Sequence, residues 1–300
     1  MCGIAGLSGA GWDERPARVR RMLETLRHRG PDDEGLASAG ATAIGVRRLS
    51  IIDLVSGHQP MASEDGGIVA VQNGELYNFR EVREALAARG HRFHTDSDTE
   101  VIPHAYEEWG SAFVERLRGM FAIALWDAGR ERLILARDRL GKKPLAYAVT
   151  AEGVAFASEL QALLTLPLDR AVDAEALRGY LAFGYIDAPR TAFRAVRKVR
   201  PGTLLEIAGG VVTERVYWRP TFAPKLAVSE DEALERLRAT LTEAVRIRLI
   251  SDVPLGVFLS GGLDSSTIVA LMAQESSAPV RTFAVGFSDE SYSELRYARL

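Results

Sequence analysis

Seven short apolar runs, separated by tight turns, occupy the chain up to about residue 165 and restrict the folds it can adopt. Their length and composition are typical of β-strands rather than of helices. The predicted strands are Ile4–Leu7, Ala43–Val46, Ile68–Gln72, Phe121–Trp126, Leu133–Ala136, Leu145–Val149 and Val154–Ala157. The turn residues Ala128-Gly129-Arg130, between the fourth and fifth runs, predict a hairpin.

Two helical segments interrupt these strands. Phe79–Arg89 carries apolar residues at helical spacing and ends before Gly90. The tetrapeptide Ser97-Asp98-Thr99-Glu100 predicts a capping box in front of a helix that runs through Trp109. Two sets of strands combined with a pair of helices predict a layered α+β domain.

The pattern weakens between Asp169 and Pro224, where prolines and a predicted hairpin at Gly209-Gly210 indicate the end of the first domain and a linker. A second capping box, Ser229-Glu230-Asp231-Glu232, then precedes a helix with one apolar face.

A βαβ unit follows that helix. Its predicted parts are the strand Leu255–Leu259, a glycine turn, the helix Ser265–Gln274 and the strand Val280–Phe287. This order is typical of the start of a parallel α/β sheet, so we expect a second domain here.

Composition excludes several classes of protein. With 47% hydrophobic and 26% charged residues and a net charge of -3, the 300 residues describe a globular chain without a basic field for nucleic acid or an anionic membrane. No apolar run approaches a membrane span, and a single cysteine fits a reducing compartment, so we expect a cytoplasmic protein. The only close pair of histidines, His91 and His94, lacks cysteine or carboxylate partners at ligand spacing, which predicts no zinc site.

The single cysteine, Cys2, directly follows Met1. Methionine ahead of a small side chain is usually removed during maturation, which would leave Cys2 with both a thiol and a free α-amino group. An amine that titrates near about 7.7–8.0 can take the proton of a thiol whose pKa is about 8.5. Cys2 would then be a nucleophile with its own base; the alternative is a chance cysteine in an ordinary first strand.

The segment Ser260-Gly261-Gly262-Leu263-Asp264-Ser265-Ser266 connects the first strand and the helix of the βαβ unit. Glycines allow the backbone to approach an anion closely, and the N-terminus of the following helix favours phosphate charge. It is not a Walker loop, because no lysine precedes Ser265. A plain strand-to-helix turn with serine as N-cap is the alternative.

This loop resembles the pyrophosphate loop of ATP pyrophosphatases, and further segments resemble the class II glutamine amidotransferase domain. Those segments are Cys2-Gly3-Ile4-Ala5-Gly6, Arg27-His28-Arg29-Gly30-Pro31-Asp32, Arg48-Leu49-Ser50-Ile51-Ile52-Asp53, Asn73-Gly74-Glu75-Leu76-Tyr77-Asn78, Ser97-Asp98-Thr99-Glu100 and Arg137-Asp138-Arg139-Leu140-Gly141. In this order, and over almost the whole chain, they are similar to the glutamine-hydrolysing asparagine synthetase family.

The resemblance implies an α+β N-terminal nucleophile hydrolase fold, a four-layer αββα sandwich, followed by the start of an α/β parallel-sheet ATP-pyrophosphatase domain. The implied organisation is a glutaminase domain over 1–200, a linker over 201–228 and the N-terminal part of a synthetase domain over 229–300. Because the family continues with further strands and an acceptor site, we expect the chain to be part of a protein about twice its length.

A glutamine site is also implied by the resemblance. Cys2 would attack the side-chain amide, Arg48 would bind the α-carboxylate and Asp98 the α-ammonium. The Asn73 side chain and the Gly74 backbone N–H would stabilise the oxyanion. The further glutamine contacts would come from Leu49, Ser50, Ile51, Ile52 and Glu75. Without the resemblance, a surface arginine, an ordinary Asn-Gly turn and a helix-dipole aspartate explain these residues.

The implied ATP site lies in the second domain. It comprises Ser260, Gly261, Gly262, Asp264, Ser265 and Ser266 of the loop, with Leu259 and Val285 lining the adenine pocket. Asp264 is the carboxylate expected to help position Mg²⁺. Core packing is the alternative role of Leu259 and Val285.

The implied activity is that of an asparagine synthase, an ATP-dependent carbon-nitrogen ligase that transfers ammonia from glutamine to aspartate activated as β-aspartyl-AMP. The expected partners are glutamine, ATP and aspartate, and a homodimer is considered; no nucleic acid or membrane is expected. The alternative is a related amidotransferase with another carboxylate acceptor, such as a peptide, a sugar or a secondary-metabolite precursor. Cys2 argues against β-lactam synthetases, which generally lack it.

Overall fold

The computed structural model describes residues 1–289 and 293–299. The chain divides into two compact units, Met1–Pro220 and Thr221–Leu300. Leu300, the last residue of the predicted synthetase segment, lies outside the described residues. Each unit has a hydrophobic core of its own.

Two antiparallel sheets form the centre of the first unit. Their strands are β1 (Gly3–Ser8), β2 (Asp33–Ala39), β3 (Thr42–Arg48), β4 (Met61–Ala62), β5 (Ile68–Leu76), β6 (Gly119–Asp127), β7 (Arg132–Arg137), β8 (Ala146–Val149), β9 (Val154–Ala157), β10 (Arg197–Lys198), β11 (Thr203–Ala208) and β12 (Val211–Val216). One sheet has the order β10-β8-β9-β1-β3-β2 and the other β12-β11-β7-β6-β5-β4. All seven predicted strands are confirmed, as is the hairpin between β6 and β7.

The side chains of β1 show how the layers form. Ile4 points into the core between the sheets, where it joins Val71 of β5 and Ala124 of β6. Ala5 and Leu7 point to the opposite face, where they pack with residues of the helices α1 (Arg15–Glu24) and α5 (Leu160–Leu163). Because successive side chains of a strand alternate in direction, a strand that is apolar throughout is buried on both faces.

The second sheet is covered in the same way. Helix α3 (Val101–Trp109) packs against β5, and α2 (Phe79–Ala87) packs against α3. The remaining helices of this unit are α4 (Phe113–Arg116), preceded by a 3-10 turn at Gly110–Ala112, and α6 (Ala174–Phe183). The predicted four-layer αββα sandwich is therefore confirmed.

The segment in front of α3 differs from its prediction. The helix through Trp109 forms, but the capping box is wrong, because the Glu100 carboxylate accepts hydrogen bonds from the N–H groups of His94 and Thr95, at 2.7 and 3.0 Å. The N–H of Ser97 donates instead to the Thr95 hydroxyl, at 3.2 Å. The Glu100 carboxylate, which a capping box would use, is therefore bonded to the backbone of residues that precede Ser97.

The predicted linker over 201–228 also differs from the structure. Strand β11 pairs antiparallel with β7, and β12 pairs with β11 through the predicted hairpin at Gly209-Gly210, which is confirmed. These backbone hydrogen bonds extend the second sheet, so the first compact unit runs to Pro220. The side chains of β12 are largely exposed, which explains why its apolar pattern is weak.

The second unit contains α7 (Glu230–Arg246), β13 (Gly256–Phe258), α8 (Leu263–Glu275), β14 (Arg281–Phe283) and α9 (Leu295–Ala298). Strands β13 and β14 pair in parallel and α8 connects them in sequence, which confirms the predicted βαβ unit. Val245 of α7 packs with Leu271 and Met272 of α8. The Ser229 hydroxyl accepts the N–H of Glu232 at 3.2 Å, which confirms the serine half of the second capping box.

Across the described residues, the helices are too short or too polar to cross a bilayer.

Candidate active site

A cavity of about 390 Å³ in the first unit brings together most of the residues assigned to glutamine. The predicted residues that line it are Cys2, Arg48, Leu49, Ile51, Ile52, Gly74, Glu75 and Asp98. They come from the starts or ends of β1, β3 and β5 and from the segment before α3, so four separate parts of the sequence converge on one space. Ser50 and Asn73 do not line this cavity.

Cys2 lies directly before β1 and is 8% exposed. Its Sγ is 3.7 Å from the carbonyl oxygen of Leu49 and accepts the N–H of Leu49 at 3.4 Å. Burial raises the pKa of the Cys2 thiol. The thiol is thus held against the end of β3 and is protonated at neutral pH unless a base removes its proton.

Two residues of the segment Arg27-His28-Arg29-Gly30-Pro31-Asp32 hold the surroundings of Cys2 in place. The Arg29 guanidinium donates to the carbonyl oxygen of Cys2 at 2.9 Å and to the Glu159 carboxylate at 2.7 Å. The carboxylate of Asp32 accepts the N–H of Ser50 at 2.9 Å. Ser50 therefore belongs to the support of the loop after β3 and not to the wall of the cavity.

Arg48 is buried at the end of β3. Its Nη2 donates to the carbonyl oxygens of Ile52 and Asp53, at 2.9 and 2.7 Å, and so folds the following loop around the guanidinium. The backbone of Gly57 passes so close that a Cβ there would lie 2.2 Å from Nη2. One edge of the guanidinium is thus used for structure, while the residue still lines the cavity.

Asp98 is 5% exposed and lines the cavity from the segment before α3. One carboxylate oxygen, Oδ2, accepts the N–H of Leu76 at 2.8 Å and the side-chain amide of Gln72 at 3.0 Å. Burial raises the pKa of Asp98 to about 6, although these two hydrogen bonds oppose the shift. A carboxylate that lines a cavity and is costly to ionise favours a cationic group next to it.

Asn73 and Gly74 are consecutive residues of β5 with different surroundings. Gly74 has φ +153°, and a Cβ there would lie 2.0 Å from the carbonyl oxygen of Met120, so only glycine fits at this point of the cavity wall. The Asn73 side chain is fully buried, and its Nδ2 faces the Ser158 hydroxyl at 3.5 Å. The hydroxyl of Ser158 also accepts the N–H of Ile4, at 3.0 Å.

The cavity contains a buried charge that sequence reasoning missed. Lys143 is 5% exposed and lines the cavity together with Glu75. Burial lowers the pKa of Lys143 and raises that of Glu75, and each charge partly offsets the shift of the other. The motif Gly141-Lys142-Lys143-Pro144 was available as a signal, but nothing in its pattern indicates which lysine is buried.

The loop of the second unit has the backbone arrangement expected of an anion site. Helix α8 begins at Leu263 without a side-chain cap, so the N–H groups of its first turn have no such acceptor. The hydroxyl of Ser260 accepts the N–H of Gly262 at 3.2 Å and lies 3.0 Å from the hydroxyl of Ser265. Gly261 has φ +85°, and a Cβ there would lie 2.5 Å from Cβ of Tyr297, so the turn requires glycine.

Leu259 and Val285 meet at the carboxyl ends of the two parallel strands. The N–H of Leu259 donates to the carbonyl oxygen of Phe283 at 2.8 Å, and a cavity of about 150 Å³ is lined by Leu259, Ser260 and Val285 among others. Val285 is 66% exposed, so in this unit it is not a core residue. Asp264 and Ser266 are exposed in the first turn of α8.

The chain resembles several characterised proteins. Over 304 residues it is 38% identical to asparagine synthetase (glutamine-hydrolyzing) 1 of Bacillus subtilis, covering 100% of this chain and 48% of that protein. It is 35% identical to the amidase chyE of Penicillium rubens, covering 97% of this chain and 47% of that protein. The chain thus spans about half the length of the curated relatives it matches.

A solved structure supports the fold independently. The glutamine phosphoribosylpyrophosphate amidotransferase from B. subtilis, complexed with ADP and GMP, matches with a TM-score of 0.54 and 20% sequence identity, covering 94% of this chain and 65% of that chain. At this identity the match concerns the fold alone.

Two family profiles match successive parts of the chain. The profile of asparagine synthase matches residues 236–300, and that of the glutamine amidotransferase domain matches residues 1–218. The second match covers well over half of the 300 residues and includes the whole cavity around Cys2. The chain therefore belongs to the glutamine amidotransferase domain family.

Proposed function

We propose that the first unit hydrolyses glutamine, with Cys2 as the nucleophile. The observation that carries the proposal is the cavity in which a buried thiol, a buried guanidinium and a buried carboxylate face the same space. Glutamine has an amide to be attacked, an α-carboxylate for Arg48 and an α-ammonium for Asp98. Such a set of groups fixes both ends of the amino acid while the amide reaches the thiol.

The raised pKa of the Cys2 thiol means that the attack requires a base. We assign this role to the α-amine of Cys2, which becomes free when Met1 is removed. Met1 itself lines the cavity, so its removal also enlarges the space for substrate. The sulfur then bonds to the amide carbon, ammonia leaves with the proton taken from the thiol, and water hydrolyses the thioester to glutamate.

The negative oxygen formed by this attack needs hydrogen-bond donors. Gly74 lines the cavity and is assigned to donate its backbone N–H. Asn73 is assigned the second donor, and its amide would turn away from the Ser158 hydroxyl to reach the substrate. Leu49, Ile51 and Ile52 form an apolar part of the wall, which suits the aliphatic stem of glutamine, and Glu75 lines the cavity as well.

The second unit extends the proposal to an asparagine synthase, in which ammonia is transferred to aspartate activated by ATP as β-aspartyl-AMP, with AMP and pyrophosphate as the other products. Support comes from the match of residues 236–300 and from the uncapped start of α8 behind the loop Ser260–Ser266. These donors fit the phosphates of ATP, while Leu259 and Val285 fit the adenine ring. Asp264 supplies one carboxylate, which suits Mg²⁺ because that ion also takes phosphate oxygens and waters.

The two half-reactions are tested by measuring the release of glutamate and of AMP. The assay uses the complete product of the reading frame, with and without aspartate. We expect aspartate-dependent AMP and asparagine. AMP formation that does not depend on aspartate would refute asparagine synthesis and support another carboxylate acceptor.

A Cys2→Ala variant tests the nucleophile. It should lose glutamine-dependent synthesis and retain synthesis from free ammonia, because only the first unit handles glutamine. Glutamate release by this variant at the parental rate would contradict the assignment.

The cytoplasm is the proposed compartment, because the thiol stays reduced there. The homodimer stays a prediction, which light scattering can test.

A further inference from the structure

A group of two histidines and two glutamates lies in the first unit, apart from the cavity of Cys2. Its members are Glu64, between β4 and β5, His91, just after α2, and His104 and Glu107, one turn apart on α3. One potential ligand atom from each of the four lies within 4.8 Å of the others. Residues far apart in sequence thus present two imidazoles and two carboxylates to a common point.

His104 is the member that ordinary packing explains least well. It is 1% exposed, and neither ring nitrogen makes a hydrogen bond of normal geometry with the described residues, although Nδ1 lies 3.1 Å from a Glu64 oxygen. A buried imidazole with an unpaired nitrogen costs free energy unless another group uses it.

The neighbours orient the group toward the same point. His91 Nδ1 is 3.7 Å from a carboxylate oxygen of Glu64 and 3.7 Å from one of Glu107. Its other nitrogen, Nε2, is 3.6 Å from Glu108, and the N–H of Arg92 donates to Glu64 at 2.9 Å. The hydrogen bond from Arg92 holds the Glu64 carboxylate in place, as hydrogen bonds to metal-binding carboxylates do.

Simple ion pairing accounts poorly for this arrangement. The distances around His91 exceed those of hydrogen bonds, and the 3.1 Å approach of Glu64 to His104 lacks hydrogen-bond geometry. Two imidazoles and two carboxylates are a donor set that Zn²⁺ takes in tetrahedral sites.

We propose that Glu64, His91, His104 and Glu107 bind one Zn²⁺ that fastens α3 to the segments before β5 and after α2. Glu64 and Glu107 are partly exposed, which leaves an entry path for the ion, while His104 closes the inner side. This proposal departs from the prediction of no zinc site, which rests on the spacing of His91 and His94 in the sequence. The proposed partners of His91 lie 13 to 27 residues away and meet through the packing of α2 on α3.

Titration calorimetry of the untagged full chain with Zn²⁺ tests the proposal, in a Cys2→Ala background that removes the competing thiol. We expect one Zn²⁺ per chain and a rise of Tm on binding. Glu107→Gln and His104→Gln should each weaken binding at least about tenfold and abolish the rise of Tm. His94→Gln, which alters an exposed histidine outside the group, is the matched control and should bind as the parent does.

Absence of saturable binding by the parent would overturn the proposal. Parental affinity in Glu107→Gln and His104→Gln would overturn it as well, because the ion would then be held elsewhere. If His104→Gln fails to fold, Glu107→Gln carries the test, since the side chain of Glu107 is 41% exposed and its loss leaves no hole in the core.

Discussion

Asp98→Asn should make the folded protein more stable at alkaline pH while impairing the use of glutamine. Asp98 is deeply buried, and burial raises its pKa from 3.8 to about 6. A shift of about two pKa units corresponds to about 3 kcal/mol by which the folded state disfavours the ionised carboxylate. Asparagine keeps an oxygen for the hydrogen bonds from Leu76 and Gln72 but carries no charge.

The sign of this effect depends on pH. The pKa of Asp98 is higher in the folded than in the unfolded protein, so the folded state binds the proton more tightly and stability falls as the pH rises from about 4 to above 6. Asp98→Asn should therefore raise the free energy of unfolding by up to about 3 kcal/mol at pH 8 and by less than about 1 kcal/mol near pH 4. Urea denaturation at the two pH values measures both quantities.

Asp53→Asn is the matched control of opposite sign. Burial raises the pKa of Asp53, but hydrogen bonds from Ser56 and from the N–H of Asp96 outweigh this and lower it overall, so the variant should be less stable than the parent at pH 8. The KM for glutamine should rise in Asp98→Asn, because the α-ammonium loses its counter-charge. If Asp98→Asn were less stable than the parent at pH 8, or equally more stable at both pH values, the argument from buried charge would be refuted.

Three further substitutions test other parts of the structure. Arg48→Lys should raise the KM for glutamine at least about tenfold in a glutamate-release assay, since lysine cannot bind a carboxylate and the loop carbonyl oxygens with one planar group; an unchanged KM would contradict the assigned role. Gly74→Ala should lose about 3 kcal/mol of stability in urea denaturation, because the added Cβ meets the Met120 carbonyl oxygen at 2.0 Å, whereas Gly129→Ala, with its nearest atom at 3.5 Å, should be tolerated. Ser229→Ala should lower the stability of the second unit by about 1 kcal/mol through the lost cap of α7, as measured by hydrogen exchange in that helix, and unchanged protection there would show that the cap contributes nothing.

The sequence by itself determined the elements whose apolar pattern is strong. β1, β5 and β6 are buried on both faces, and their apolar runs are visible without any structure. The glycine loop before α8 was also predicted from the sequence, because it stands between an apolar run and a helix that a second apolar run follows, which is the order of a βαβ unit. The residues of the glutamine site followed from the resemblance of their motifs, and Cys2 and seven of the others line one cavity.

Tertiary structure decided the elements that are stabilised by their partners. The acidic start of β2 carries little strand propensity and the side chains of β12 are largely exposed, so neither strand shows a buried apolar run; both form through hydrogen bonds to a neighbour. Burial is also a tertiary property: Lys143 and His104 have ordinary sequence surroundings, yet the fold removes both from water. For the same reason only the fold could bring Glu64, His91, His104 and Glu107 together, since contact between distant residues depends on how helices pack and not on their spacing.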